Sequence, residues 1–178
     1  MTNSAEKILD IAERRMREAG YYQVSYRDIA IDMGIKSASI HYHFPKKSDL
    51  GQKLVQRYNE NFKAVLGAKT EYLEDPDKQL AGFVDVYREA LKMNNRICLC
   101  AMLGAEAPGL PEDVSLEVSR FFAFNIDWLT RTYAAMGAAN PEQNAKATLS
   151  MLEGAMIIAV AQQDYDVFEA AAQFVTSE

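Results

Sequence analysis

Apolar residues recur every three to four positions along most of the chain, and this spacing predicts an all-α protein. The clearest row comprises Leu50, Leu54, Tyr58, Phe62 and Leu66. It predicts one long helix over residues 48–67, about 27 Å in length. No stretch alternates between apolar and polar residues as a strand would, and the sequence contains no internal repeat.

Glycine and proline divide the remaining pattern into further helices. Gly20, Gly67 and Gly137 each follow an apolar row and are expected to end a helix. The predicted helices run from Asn3 or Ser4 to about Gly20, then over two short segments within 25–44, then over 48–67, 76–94, 97–106, 112–137, 141–163 and about 167–174.

Residues 25–50 carry the strongest local pattern. Ser25 followed by Asp28 is typical of a capped helix start, and Gly34 is typical of a helix end with positive φ. Ser37 is expected to cap a second short helix. Two short helices joined by so tight a turn predict a helix-turn-helix, in which the second helix enters the DNA major groove.

The surface chemistry of this segment agrees with that interpretation. No acidic residue lies between Asp32 and Asp49, whereas this interval holds three lysines and both histidines of the chain. Such groups suit phosphate oxygens and base edges. The expected DNA-binding residues are Ser25, Tyr26, Arg27, Lys36, Ser37, Ala38, Ser39, His41, Tyr42, His43 and Lys47. The alternative is a helix-turn-helix used only for packing.

The same residues resemble the TetR family of transcriptional repressors. The resemblance rests on residues 25–30, on Gly34 and on residues 39–50. Ile40 stands where the family usually has leucine, and His41 stands where it has the first of two aromatic residues. The resemblance implies a three-helix DNA-binding domain at 1–47 and an effector-binding and dimerisation domain at 48–178, with helix 48–67 connecting the two.

The resemblance also implies a homodimer through the helices at 112–137 and 141–163. Two such antiparallel pairs would form a four-helix bundle about a two-fold axis. A dimer would present two recognition helices to a near-palindromic operator, with half-sites about 34–36 Å apart or a multiple of that distance. The alternative is a monomer that uses this helix pair as internal core.

Net charge is −6 over 178 residues, but the charge is distributed unevenly. Residues 1–53 hold nine basic and seven acidic residues, while residues 54–178 hold ten and eighteen. The basic excess therefore lies in the expected DNA-binding domain, and a local patch sets phosphate affinity. With only two cysteines, no signal pattern and no apolar stretch long enough to span a bilayer, we expect a soluble, cytoplasmic protein.

Methionine and aromatic residues are concentrated in the second predicted domain. They are expected to line a pocket for a mostly apolar small-molecule effector, although aromatic residues at helical spacing also suit plain core. The expected effector-binding residues are Phe83, Tyr87, Cys98, Met102, Phe121, Phe124, Asn125, Trp128 and Met156.

Cys98 and the segment 103–106 resemble a TetR branch that includes electrophile-sensing repressors, in which a cysteine at this place is the reactive group. A thiol in the first helical turn near Arg96 would have a lowered pKa. Related branches bind small unsaturated acyl compounds instead, and a buried cysteine can simply pack.

The sequence leaves two other classes of function open. A small cysteine-dependent enzyme would use Cys98 as nucleophile, but Glu106 is the only nearby candidate base. A protein-binding helical scaffold would not need the basic run at residues 36–47. No metal-ligand spacing or cofactor motif occurs, so neither a metal nor a cofactor is expected, and the leading prediction remains a DNA-binding regulator.

Overall fold

The computed structural model describes residues 4–94 and 96–177, and within them it contains nine α-helices and no strand. The all-α prediction is confirmed. Asn3, the alternative first cap, and Asn95 lie outside the described residues. The helices are α1 Ser4–Ala19, α2 Tyr26–Met33, α3 Ser37–His43, α4 Lys47–Thr70, α5 Pro76–Asn94, α6 Leu99–Gly104, α7 Glu112–Ala135, α8 Pro141–Gln162 and α9 Asp166–Ser177.

The prediction that Gly67 ends the fourth helix is wrong, because α4 continues to Thr70. One glycine inside a helix costs only about 1 kcal/mol relative to alanine. Leu66 and Thr70 are both buried, and the Thr70 hydroxyl donates to the Leu66 carbonyl oxygen at 2.7 Å. Burial of the last turn thus outweighs the cost of the glycine.

The chain divides into two compact units, and the division differs from the boundary expected at residue 47. The first unit comprises the described residues of 1–59 and 99–119, and the second those of 60–98 and 120–178. The first half of α4, α6 and the start of α7 therefore belong with the helix-turn-helix. In the first unit α6 packs against α1, a contact that local sequence patterns do not reveal.

The first unit has its core between α1, α2, α3 and the start of α4. Each helix contributes side chains that are almost completely buried, and Ala30 of α2 is small enough for a close helix approach. The core side chains include Ile8, Leu9, Ala12, Met16, Ile29, Ile40, Leu50 and Leu54. This apolar burial is the main favourable term that holds these helices together, because α2 with 8 residues and α3 with 7 residues are too short to be stable alone.

In the second unit α8 packs against α9 and α5, and α5 also packs against α9. The Arg88 guanidinium of α5 lies 2.9 Å from the Glu169 carboxylate of α9, and Lys92 lies 3.0 Å from the same carboxylate. Phe83, Phe121 and Phe168 are the largest fully buried side chains of this unit.

Candidate DNA-binding surface and effector core

Helix α2 begins and ends as its sequence predicts. The Ser25 backbone N–H donates to the Asp28 carboxylate at 3.0 Å, and the Asp28 backbone N–H donates to Ser25 Oγ at 3.3 Å, which completes a capping box. Gly34 adopts φ 64°, in the left-handed region, and its N–H reaches the last turn of α2. These local bonds fix the angle at which the chain enters α3.

The prediction that Ser37 caps α3 is wrong. Lys36 occupies the cap position in an extended conformation and makes no side-chain cap bond, and Ser37 is already helical. The short helix is instead held by Ile40, which is completely buried. Packing into the core replaces the cap that this helix lacks.

The outer face of α3 carries most of the expected DNA-binding residues. Tyr42 is 84% exposed, and Ala38, Ser39 and His41 are exposed as well. The remaining members of the expected set that are at least partly exposed are Ser25, Arg27, Lys36, Ser37 and His43. The His41 ring packs edge-on against the Tyr26 ring, with centroids 4.6 Å apart, so its orientation is restrained.

Tyr26, also expected to contact DNA, points into the protein and is only 9% exposed. Its hydroxyl lies 2.8 Å from the carbonyl oxygen of Phe44 and 2.6 Å from that of Lys46. Burial raises the pKa of this phenol. Tyr26 therefore connects α2 to the segment between α3 and α4. Its hydrogen bonds position these elements relative to each other.

Lys47 is the first residue of α4 and folds back onto the protein. Its ammonium lies 4.5 Å from the centroid of the Tyr21 ring and 3.4 Å from the Tyr22 carbonyl oxygen. Burial lowers the pKa of Lys47. Lys46, which the expected set omitted, is exposed, while its backbone N–H donates to Asp49 at 2.9 Å. Lys46 is thus more exposed than Lys47 at this end of the surface.

A charge network on α1 and α2, missed by the sequence reasoning, positions the helix-turn-helix. Asp32 accepts hydrogen bonds from Arg15 at 2.8 Å through both carboxylate oxygens, and Arg14 approaches it to 2.6 Å. The hydrogen bond from Arg15 is the main cause of a lowered Asp32 pKa. The sequence signal that could have revealed this network is the presence of opposite charges on two neighbouring predicted helices.

Four of the expected effector-binding residues meet in one aromatic cluster of the second unit, formed by Phe62, Phe83, Tyr87, Phe121 and Trp128. Phe83 stacks on Trp128 with ring centroids 5.2 Å apart, and it lies 5.3 Å from Tyr87. Phe62, which sequence reasoning did not select, contacts two further rings of the cluster. Its ring centroid lies 5.6 Å from that of Tyr87 and 5.1 Å from that of Phe121.

The remaining expected effector-binding residues are placed differently. Met156 and Asn125 are buried in the second unit. Phe124 is partly exposed, and the Lys63 ammonium lies 4.7 Å from the centroid of the Phe124 ring. Met102 lies on α6, which belongs to the first unit.

Cys98 is 2% exposed and directly precedes α6, which begins at Leu99. The expectation that Cys98 lies within the first turn of a helix is therefore wrong. Its neighbour is the carboxyl group of Glu153, a buried side chain of α8 that the sequence reasoning missed. Burial, and next the proximity of Cys98, raise the pKa of Glu153 well above its usual range.

None of the helices within residues 4–94 and 96–177 has the length and apolar character required to cross a bilayer.

The capping box of α2, the left-handed turn at Gly34 and the exposed face of α3 define a helix-turn-helix protein. Residues 8–53 match the sequence profile of the family described as bacterial regulatory proteins, tetR family. No curated protein sequence matches the chain.

Solved structures extend the similarity to the whole chain. A TetR transcriptional regulator from Legionella pneumophila is 30% identical with TM-score 0.93, and the match covers 98% of this chain and 96% of that chain. A TetR-family regulator from Agrobacterium tumefaciens is 34% identical with TM-score 0.91, over 97% and 95%. A regulator from Saccharomonospora viridis, solved in complex with choline, shares the fold at 19% identity and TM-score 0.78, over 100% and 98%. The chain belongs to the TetR family and is a transcriptional regulator.

Proposed function

We propose that this regulator is a homodimeric repressor that binds a near-palindromic operator through α3 and is released by a small hydrophobic or electrophilic effector. The exposed face of α3 carries the proposal. Tyr42 projects from that face with 84% of its surface exposed, and no acidic residue interrupts the chain between Asp32 and Asp49. An exposed aromatic residue amid lysines and hydroxyl groups suits a phosphate backbone and base edges.

The surface of α8 supports the dimer. Ile157 and Ile158 are 45% and 47% exposed on this helix. A side chain added at Gly154 would meet nothing within 4 Å. Exposed apolar residues next to a glycine allow a second helix to approach closely, and a two-fold axis makes one such face complementary to its own copy. Pairing through α7 and α8 would present two α3 helices to one operator.

The aromatic cluster supports an effector site in the second unit. Its rings offer apolar surface, and Asn125 and Glu153 each bury a side-chain oxygen that has no partner among the described residues. Ligand sites typically combine such apolar walls with few polar groups. The choline complex of the Saccharomonospora viridis regulator supports small-ligand binding by this fold.

An electrophile would instead react at Cys98. Because that thiol is 2% exposed, we expect reaction only when the surrounding helices open. Intact-mass measurement after treatment with a small electrophile tests this route, with Cys98→Ser as the control. A mass increase that persists in Cys98→Ser would assign the reaction to another residue and remove Cys98 from the proposal.

Release requires that the effector bind one conformation better than another. Helix α4 supports such coupling, because one continuous helix carries Lys47 near its start and Phe62 within the aromatic cluster. A ligand that displaces Phe62 would shift α4 and alter the spacing of the two α3 helices.

We propose a regulatory function and not a catalytic one. Glu106, the candidate base for Cys98 that the sequence predicts, accepts a hydrogen bond from the Tyr21 backbone N–H at 2.6 Å. The relatives that show the family are regulators. We therefore propose that Cys98 takes part in the effector response and that α3 binds DNA instead of a protein partner.

Electrophoretic shift with the DNA upstream of the protein's own gene tests the repressor proposal. Tyr42→Ala should weaken specific binding by about tenfold, a loss within the roughly 1–3 kcal/mol of one base contact. Tyr72→Ala is the matched control, because Tyr72 is 87% exposed but lies in the second unit. Absence of salt-sensitive specific binding, or equal binding by both variants, would refute the role of α3.

A further inference from the structure

Helix α3 has an unusual set of side chains for a helix that enters the major groove. Residues 37–43 contain no arginine, lysine, asparagine, glutamine, aspartate or glutamate, the side chains that make the usual directional contacts to base edges. The exposed hydroxyl groups of Ser39 and Tyr42 rotate, and each can donate or accept a hydrogen bond. These hydroxyl groups therefore do not distinguish a donor from an acceptor on a base.

His41 differs from these hydroxyl groups because one of its ring nitrogens is already bonded. Nδ1 lies 3.4 Å from the main-chain carbonyl oxygen of Pro45. A carbonyl oxygen only accepts hydrogen bonds, so Nδ1 carries the hydrogen atom in this contact. A neutral imidazole has a single N–H, and Nε2 is then an acceptor. The bond to Pro45 thus gives the His41 ring a defined polarity.

The turn that follows α3 restrains this ring. The Tyr26 hydroxyl lies 2.8 Å from the carbonyl oxygen of Phe44 and 2.6 Å from that of Lys46. The carbonyl oxygen between these two, that of Pro45, is the one that Nδ1 of His41 contacts. The His41 ring also packs edge-on against the Tyr26 ring, with centroids 4.6 Å apart. One set of contacts therefore fixes both the place and the tautomer of the imidazole.

Nε2 remains for an outside partner, because His41 is exposed. Lys36 and Lys46 are exposed near the two ends of α3, and no acidic residue occurs between Asp32 and Asp49. These lysines favour the approach of a phosphate backbone. Phosphate oxygens are acceptors themselves, so the acceptor at Nε2 requires a donor from elsewhere on the DNA.

The major groove offers such donors only on two bases. They are the exocyclic amino groups, N6 of adenine and N4 of cytosine, whereas thymine O4 and guanine O6 are acceptors. Two acceptors that face each other both lose a hydrogen bond to water and gain none. An acceptor side chain therefore separates amino bases from keto bases, and it does not separate adenine from cytosine.

We propose that His41 is a specificity-determining residue, whose Nε2 accepts a hydrogen bond from an amino base, adenine or cytosine, at one position of each operator half-site. This inference rests on the proposed function, since it requires that α3 enters the major groove. Guanine or thymine on the same strand at that position weakens binding about fivefold per half-site, in line with the loss of one hydrogen bond.

Selection of binding sites by the full-length protein from a randomised duplex DNA library tests this contact. We expect one position of each half-site to be adenine or cytosine for wild type and to lose that preference in His41→Ala. His41→Lys exchanges the acceptor for a donor, so it should select guanine or thymine there. Tyr72→Ala, which alters an exposed residue of the second unit, is the control and should select the wild-type motif.

Base analogues isolate the single hydrogen bond. In the selected duplex, the amino base is replaced by purine or by 2-pyrimidinone, which lack the exocyclic amino group. Wild-type protein should bind the altered duplex about fivefold more weakly per half-site, whereas His41→Ala should bind the two duplexes equally. Because each protein is compared with itself, an effect of the substitution on folding does not produce this difference.

Nitrogen-15 NMR of the DNA-free protein at about pH 8 reports the tautomer of His41 without any operator. We expect the Nδ1–H form. The inference is overturned by a predominant Nε2–H form, by a selected motif in which no amino-base preference depends on His41, or by an equal effect of the base analogue on wild type and His41→Ala. If wild-type protein enriches no motif at all, the proposed function itself fails, so the two kinds of failure are distinct.

Discussion

The hydroxyl of Tyr26 lies 2.6 Å from the main-chain carbonyl oxygen of Lys46, twenty residues further along the chain. Tyr26 is the first residue of α2, and Lys46 directly precedes α4. The same hydroxyl is also 2.8 Å from the Phe44 carbonyl oxygen at the end of α3. One side chain thus connects the three helices that surround the DNA-binding surface.

Replacing Tyr26 with phenylalanine should remove this connection and keep the ring in place. The buried carbonyl oxygens lose their donor, so we expect the free energy of unfolding to fall by about 1–2 kcal/mol. Operator affinity should fall as well, because α3 loses its restraint. Urea unfolding and electrophoretic shift measure the two effects. Tyr42→Phe removes an exposed hydroxyl and should leave stability unchanged; equal stability loss in both variants would contradict the positioning role.

Asp32 should make the first unit sensitive to acid. The hydrogen bond from Arg15 lowers the pKa of Asp32 in the folded state below its value in the unfolded chain. The resulting stabilisation is complete above the unfolded pKa, and it is lost as pH falls through the folded pKa. Thermal unfolding followed below about pH 4 should therefore show a smaller acid-induced loss in Asp32→Asn than in wild type.

Asp127→Asn provides the comparison for this experiment. Asp127 pairs with Arg131 on the exposed side of α7, in the second unit. This variant should keep the acid sensitivity of wild type. An identical pH profile for Asp32→Asn and wild type would show that the Arg15 contact does not contribute to stability.

Glu106 should hold the segment after α6 against the turn that follows α1. Its carboxylate accepts the Tyr21 backbone N–H at 2.6 Å, and Tyr21 is 3% exposed. Glu106→Ala leaves that N–H without a partner and should cost about 1–3 kcal/mol of unfolding free energy. Glu106→Gln retains an acceptor oxygen and should lose less. Chemical denaturation measures both, and an equal loss in the two variants would argue against this hydrogen bond.

Gly154 should distinguish a dimer from a monomer. A side chain there meets nothing within 4 Å in the isolated chain. Gly154→Leu should therefore fold normally, with a gain of up to about 1 kcal/mol from helix propensity. If α8 packs closely against its copy, the added side chain will separate the subunits, as sedimentation equilibrium will detect.

Gly67→Leu is the matched variant for this test. Gly67 also lies inside a helix, and a side chain there likewise meets nothing within 4 Å. We expect this variant to remain dimeric. Unchanged association in Gly154→Leu would place the dimer contact elsewhere.

Local chemistry made the helix-turn-helix predictable. The Ser25 cap depends on Asp28 three positions later, and the end of α2 depends on the conformational freedom of Gly34 alone. The wrong prediction at Ser37 arose because tertiary packing outweighed a local pattern. Ser37 matched a capping pattern, yet Lys36 occupies the cap position, because burial of Ile40 holds the short helix without a capping side chain. Sequence spacing shows which residues are close along a helix. It does not show whether packing in the core can replace a missing capping bond.

The helices could thus be predicted from contacts within about four positions, which every helix repeats. The family could be recognised from the resemblance carried by residues 25–30, Gly34 and residues 39–50. The roles of individual side chains could not. Tyr26 faces inward, Lys47 folds onto Tyr21, and Glu153 sits beside Tyr87. Each of these arrangements joins residues roughly 20 to 70 positions apart in the chain. Burial and pairing depend on which helix faces arrive at the same place, and that information exists only once the chain has folded.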